Sequence, residues 1–380
     1  MIDPIQVRHS LHQIPELAFE EIKTKAVIMD YLHRILAEDM ASASPKFSIT
    51  EFHNSPGILV SYHGGAGDFK LFRSDMDALP VEEKTGSNFA SLFPGRMHAC
   101  GHDVHMAILT GLIQKTALEL PQENLLFLYQ PAEEGKGGAI SILDEGLIQQ
   151  YPLQAAIALH VANGMPVGTA SSVAGIFFGI PQEFDVKFFG KSAHVAFPEQ
   201  GIDALNAGIM FMHAIQPDLD ELSQTERIIC HIGRFQAGSI RNIIADSCIL
   251  EGTHRSLNTK ARDRMNEILK HHAADIATQT GTRSEVDLLC DYDPVVNNAA
   301  LVQQLEGVTT KLGYTYTPGQ TVMTGEDFGF FTTMYPGMLF WLGSGNEHPL
   351  HSELFLPSDD CIEVGINLLW GLATTEIPVS

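Results

Sequence analysis

The chain has 380 residues, with 46 acidic against 23 basic side chains and a formal net charge of −23, and its length suits two domains or one domain with a large insertion. That acidic balance excludes a nucleic-acid partner, which needs a basic footprint, and no apolar run is long enough to span a membrane. Five scattered cysteines (Cys100, Cys230, Cys248, Cys290 and Cys361) argue against a disulfide framework, and the opening residues lack the regions of a signal peptide, so a cytoplasmic protein is expected.

Residues 4–38 read as helix with one interruption at Ile14-Pro15-Glu16, and Pro4 suits an early helical position. The part carrying Arg8, His9 and His12 reads as packing and surface. Residues 41–46 read as a loop. Strands follow at 57–62 and 69–73, the second running into Asp75 and Asp77. A helix over roughly 103–119 places Met106, Leu109, Leu112 and Ile113 on its apolar side. Strand 124–129 is apolar at every central position, as a strand covered on both faces should be. It stops at Gln130-Pro131-Ala132-Glu133-Glu134-Gly135. A helix near 137–145 leads to strand 155–159, which stops at His160. This alternation predicts an α/β sheet with parallel strands.

The pattern changes after about residue 175. Strand 184–189, helix 201–216, strands 227–235 and 242–253, helix 258–280 and strand 284–289 follow in turn. This β-α-β-β-α-β order is that of a small one-sided sandwich. Residues 175–289 therefore read as an inserted domain between two parts of a main domain, 1–174 and 290–380. Helix 299–312, the segment Met323–Phe328, strand 338–342, a glycine-rich loop with His348 and His351, and helix 359–373 complete the chain.

The densest chemistry lies in Met97–His105, where three histidines, a cysteine and an aspartate fall within nine residues. Thiolate and imidazole together suit Zn²⁺ and its neighbours. Apolar strands also run into Asp75 and Asp77, Glu133 and Glu134, His160 and His351. In open α/β sheets, ligands bind outside the carboxyl ends of the strands, so these clusters should converge. Cys100, His102, Glu134, His160 and His351 suffice for two divalent ions if one group bridges, and Zn²⁺, Mn²⁺, Co²⁺ or Ni²⁺ would accept this mixed set. A carboxylate that is not a ligand could then take a proton from water. His98, His105 and His348 read as outer or structural histidines, and Asp327 as a candidate outer partner. A rival reading is a cysteine hydrolase using Cys100 as nucleophile and His102 as base. Its weakness is that residues two apart on a turn need not face each other, and the other clusters would go unused.

Several segments together resemble the M20 family of metallopeptidases and amidohydrolases, in the branch that hydrolyses N-acyl amino acids. They are Arg8–His12 with Pro15-Glu16-Leu17, Arg73–Pro80, Met97–His105, Gln130–Gly135, Gly190–His194, Asn242-Ile243-Ile244 and Gly325–Gly329. The resemblance implies a mostly parallel-sheet dinuclear metallohydrolase domain with an inserted α+β lid and dimerisation domain. It implies two divalent metal ions, a small N-acyl amino acid as substrate, and a homodimer formed through the inserted domain. Cys100, His102, Glu134, His160 and His351 match metal ligands, and Glu133 matches the general base. Asp77 matches the aspartate of the family's His-x-Asp motif, which orients a ligand. Asp75 stands where that motif has histidine, and its role, catalytic or structural, stays open. His194 matches a histidine that reaches a neighbouring subunit's site and stabilises the oxyanion. Asn242 and Arg255 match positions near the substrate carboxylate. A non-catalytic binding protein on this scaffold is a third reading, against which the intact Glu133 and full ligand set stand.

Overall fold

Strands that are apolar on both faces must be covered on both, and this requirement shapes the larger of two compact units in the structure, a computed structural model that describes residues 1–289 and 292–377. Cys290 lies outside the described residues. The first unit comprises Met1–Phe177, Val295–Thr321 and Asp327–Ser380, and the second Phe178–Pro294 with Val322–Glu326. In chain order the elements are α1 (Pro4–His12), α2 (Ile22–Met40), β1 (Phe47–Glu51), β2 (Ile58–Tyr62), β3 (Phe69–Asp75), α3 (His102–Glu119), β4 (Asn124–Gln130), α4 (Gly138–Asp144), β5 (Leu153–Ala162), β6 (Thr169–Ser172) and β7 (Gly175–Phe178). The second unit carries β8 (Ile180–Phe189), α5 (Ala204–Ser223), β9 (Ile229–Ala237), β10 (Ser247–Ser256), α6 (Thr259–Thr280) and β11 (Arg283–Leu289). Then come β12 (Val295–Asn297), α7 (Ala299–Lys311), β13 (Thr315–Pro318), α8 (Gly329–Met334), β14 (Gly337–Gly343) and α9 (Asp360–Thr374).

The main sheet of the first unit has the order β1-β2-β4-β3-β5-β14-β6-β13. Its centre, β4-β3-β5-β14, is parallel throughout. Strands β2, β3 and β4 are buried at every residue. Helix α3 is buried continuously from His102 to Ile113, because α1, α2 and α9 pack around it. Gly101 starts that helix with φ 88, and a Cβ there would come within 2.4 Å of Val161 Cγ2. Only glycine satisfies both the left-handed backbone and that close approach.

The second unit, taken by itself, is an antiparallel sheet in the order β11-β8-β10-β9 with α5 and α6 packed on it. Phe184, Val186, Phe188, Phe211, Ile215, Leu250 and Leu269 form its core. The short segment Val322–Glu326 belongs here because Gly179 N–H donates to Val322 O at 2.9 Å and Arg255 Nη1 donates to Met323 O at 3.1 Å.

Some boundaries differ from the sequence expectation for identifiable reasons. The gap between α1 and α2 spans residues 13–21, wider than a single proline break. Glu16 Oε2 accepts from Lys23 N, Thr24 N and Thr24 Oγ1, so its side chain binds the free donors of the first turn of α2. Strand β5 continues past His160 to Ala162, which places His160 inside a strand. Strand β10 begins at Ser247, leaving Asn242 in a loop. Helix α5 runs through Pro217 to Ser223, since burial of Ile215 and Leu219 on either side outweighs the lost hydrogen bond.

The reading of this part of α1 as packing and surface holds as packing for Arg8 and His12 and is corrected as surface. Both are fully buried, one turn apart on α1, and both bind Asp103 in the first turn of α3. Arg8 Nε donates to Asp103 Oδ2 at 3.0 Å, and His12 Nδ1 donates to the same oxygen at 2.9 Å. His12 Nε2 lies 3.3 Å from Glu83 Oε1. Burial alone would lower the His12 pKa, but Asp103 and Glu83 outweigh it and raise it from 6.5 to about 9. A folded pKa above the unfolded value means the contribution is complete below the unfolded pKa and is lost as pH rises through the folded one. Its size is roughly 3 kcal/mol. We expect urea midpoints of metal-free protein to show the stability gap between wild type and His12→Gln shrinking by roughly this amount between about pH 6 and pH 10. A gap independent of pH would mean that His12 is neutral in the folded chain.

Candidate active site

The parallel strands deliver their last residues to one end of the main sheet. Asp75 ends β3 and pairs in register with Gln130 at the end of β4, while His160 on β5 pairs with Trp341 on β14. Cys100 and His102 flank the Gly101 turn that opens α3, and His351 lies in the loop after β14 with φ 67.

Cys100 sits at the centre. Its Sγ is 3.3 Å from His160 Nε2 and 3.3 Å from His351 Nε2. Two donor sets share it: Cys100, His102 and His160, and Cys100, Glu134 and His351, each with ligand atoms within 4.8 Å of one another. The sulfur is thus close to a donor atom from each of the four other residues.

The hydrogen bonds fix which ring nitrogen each histidine offers. His102 Nδ1 donates to Asp77 O at 2.8 Å, leaving Nε2 buried with no hydrogen-bond partner. His160 Nδ1 donates to Val161 O at 2.8 Å, so Nε2 carries the lone pair that faces Cys100. This is the arrangement of a metal-binding imidazole, one nitrogen tied to a carbonyl and the other free to ligate. His105 is different. Its Nε2 accepts from Val161 N–H at 2.9 Å and its Nδ1 donates to Asp75 Oδ1 at 2.6 Å, so neither nitrogen is left for a metal. Glu134 Oε1 lies 3.3 Å from His351 Nε2 without a well-formed hydrogen bond, and it too is buried.

Asp77 organises the carboxylates. Its Oδ1 accepts from Glu133 N–H at 3.1 Å and its Oδ2 from Glu134 N–H at 2.9 Å. With its carbonyl on His102, one residue sets three groups from two other segments. Asp75 is fully buried and gives Oδ2 to Arg73 Nη1 at 2.8 Å and Oδ1 to His105. Arg73 continues to Asp327 Oδ1 at 2.7 Å and Gln130 Oε1 at 2.9 Å, and Gln130 Nε2 donates to both Asp327 oxygens. Asp75 is thus connected through His105 to the Val161 N–H, while the Val161 carbonyl holds His160 Nδ1. Arg73 and Gln130 were not singled out from sequence. The signal available was a charged and an amide side chain at the ends of strands otherwise apolar.

The electrostatics call for a cation. Burial, then Glu134, Glu133 and Asp75, push the Cys100 thiol well above its ordinary pKa. Burial lowers His102, but Asp75 and Asp77 outweigh it and raise it to about 10. Burial and His105 lower His160 to about 3, keeping it neutral and able to ligate. A thiolate here needs positive charge beside it, which divalent ions supply. The unpartnered His102 Nε2 and the mixed S, N and O donors fit such ions. The cysteine-hydrolase reading is correspondingly weak, since a reactive thiol needs a lowered pKa.

His194, Asn242 and Arg255 belong to the second unit. There the 193–195 and 242–244 segments pair: Val195 N–H donates to Asn242 O at 3.1 Å and Ile244 N–H to Ala193 O at 2.8 Å. His194 and Asn242 are exposed, whereas Arg255 is half-buried on β10. His348 is exposed, and His98 is buried with both ring nitrogens unpartnered.

Residues 71–375 match peptidase family M20/M25/M40. The chain belongs to this family. N-acetyldiaminopimelate deacetylase of Oceanobacillus iheyensis is 36% identical over 99% of this chain and 100% of its own length. The protein of that name from Exiguobacterium sibiricum is also 36% identical, over 96% of this chain and 97% of its own. Among solved structures, the Bacillus subtilis YXEP protein, described as a dinuclear metal binding peptidase from the M20 family, is 27% identical with a TM-score of 0.82, covering 98% of this chain and 96% of that one. This M20 member is a metallohydrolase whose two donor sets suit two metal ions. No helix among the described residues is long and apolar enough to cross a membrane.

The Asp77 contacts lead to a measurable consequence for metal binding. In Asp77→Asn the amide nitrogen would face one of the two backbone N–H groups, donor against donor. Loss of an outer partner of this kind typically weakens metal binding about 10–100-fold. We expect that loss in chelator-competition titrations, with the far-UV circular dichroism unchanged. Wild-type affinity in a folded Asp77→Asn protein would contradict the clamp.

Proposed function

We propose that the chain hydrolyses the acetyl amide of an N-acetylated diaminopimelate, within the wider class of N-acyl amino acids, as a cytoplasmic step of diaminopimelate and lysine biosynthesis. The observation that carries this reading is the donor cluster centred on Cys100, with Glu133 clamped beside it, in a chain 36% identical end to end to proteins named for that reaction.

Cys100, His102, Glu134, His160 and His351 would hold two divalent ions, with Cys100 common to both donor sets. When bound, such ions polarise the amide carbonyl and make water more acidic. Glu133 lies beside His102 and Glu134, with donor atoms of the three within 4.8 Å of one another. Its carboxylate accepts the proton of the attacking water and returns it to the leaving amine. His194 donates to the carbonyl oxygen as negative charge builds there. Asn242 and Arg255 bind the substrate carboxylate. Asp75 acts through His105 and touches no reacting atom.

Wild type should turn over N-acetyl-L,L-diaminopimelate faster than hippurate. Glu133→Gln should lose about 10²–10⁴-fold in kcat while keeping its metal. Metal loss in Glu133→Gln, with metal retained in Glu134→Gln, would reverse the two roles.

The second unit supports assembly as an isologous homodimer. Leu205, Ile209 and Met212 lie one above another on α5 and are 38%, 43% and 40% exposed. Strand β9 is a sheet edge with Ile229 and Phe235 also exposed. An apolar helix stripe beside an open edge suits self-pairing across a two-fold axis. If His194 serves the partner's site, mixing inactive His194→Ala with inactive Glu133→Gln subunits should restore part of the activity. Mixed dimers shown to form by mass spectrometry, yet inactive, would exclude action in trans.

A further inference from the structure

Three consecutive peptide N–H groups, at Ala132, Glu133 and Glu134, are each bound by a carboxyl group from a distant segment. Asp77 takes the last two. Glu21 takes the first: its Oε1 accepts from Ala132 N–H at 2.9 Å. Glu21 is fully buried at the residue before α2, and its Oε2 has no hydrogen-bond partner.

The residue it holds has an uncommon backbone. Ala132 has φ 58, a left-handed conformation that residues with a side chain avoid. Its carbonyl accepts from Gly138 N–H at 3.0 Å. The same glycine packs so tightly that a Cβ would come within 1.8 Å of Pro131 O. Ala132 is thus fastened at both its N–H and its C=O, and the direction in which Glu133 leaves the turn follows from that φ.

We propose that Glu21 is a positioning residue for Glu133, its carboxyl holding the left-handed turn at Ala132 that aims the Glu133 carboxylate. This rests on the reading of Glu133 as the general base. The hold needs only an acceptor oxygen in place. Burial, then Asp77, raise the Glu21 pKa to about 8, so the side chain is present mainly as the neutral acid at pH 7. Glutamine keeps a carbonyl oxygen at the same reach, whereas aspartate withdraws it by one carbon and alanine removes it.

The test compares kcat, KM, bound-metal stoichiometry and melting temperature for Glu21→Ala, Glu21→Asp and Glu21→Gln, with Glu133→Gln as reference. Misplacing a reacting group by about 1 Å costs on the order of 100-fold. Glu21→Ala should lower kcat by roughly 10–100-fold with KM and metal content near wild type, and Glu21→Gln should restore kcat to within a few-fold. Wild-type kcat in Glu21→Ala overturns the proposal. So does a Gln variant as impaired as Ala, or a loss that falls on KM or metal content instead. If Glu21→Ala does not fold, the order of the other two decides: Gln active and Asp impaired supports the proposal, and the reverse overturns it. A fully active Glu133→Gln would remove the base itself, and the proposal with it, a result distinct from an intact requirement for Glu133 alongside an indifferent Glu21.

Discussion

One carboxylate, that of Asp77, fixes the arrangement on which the site depends. Backbone N–H groups of Glu133 and Glu134 point at its two oxygens, and its own carbonyl holds His102. A carboxylate is the only side chain that offers two acceptor atoms in one plane and no donor. It can therefore give each of two successive amides an oxygen of its own, which an amide or a hydroxyl cannot do. Asp77 lies two residues past the end of β3, so the position of that strand in the sheet sets Glu133, Glu134 and His102 together.

Around this clamp, the same residue type takes different states according to its acceptors. His102 and His160 each give Nδ1–H to a backbone carbonyl and turn Nε2 toward the cluster. His105 receives an N–H at Nε2 and is excluded from ligation, although it lies three residues from His102 on the same helix. Burial strips water from all of them, so every remaining hydrogen bond decides a protonation state. The acidic side chains Asp75, Asp77, Glu133 and Glu134 outnumber the basic groups beside them, Arg73, whose charge Asp327 also shares, and His102. The imbalance is what makes a pair of divalent ions the matching partner.

A second buried layer steadies the first. Arg8 and His12 from α1 converge on Asp103, the residue after His102, and so tie α1 to the first turn of the helix that carries His102. Removing one partner from such a buried set leaves an uncompensated charge, which costs more than the intact set contributes. The acidic first turn of α3 also suits the positive end of that helix. Charge, helix start and ligand placement agree at this point of the chain.

The sequence by itself determined the elements and the chemistry they carry. Periodicity and apolar runs marked the parallel strands, because burial on two faces leaves no polar position to use. The residues of the cluster were legible because Cys100, His102, Glu133, Glu134, His160 and His351 interrupt or end apolar segments, where an ionisable side chain needs a reason. Tertiary structure alone decided what those residues touch. The stretch with Arg8 and His12 read as packing and surface together because a helix with charges on one side has no local sign that another helix will cover them. That Asp75 meets Arg73 and His105 with its two oxygens was likewise not legible. Glu21 carried no signal at all, since its partner, the Ala132 amide, lies 111 residues away. Composition and spacing report which groups are available, whereas hydrogen-bond direction and burial arise only when distant segments meet.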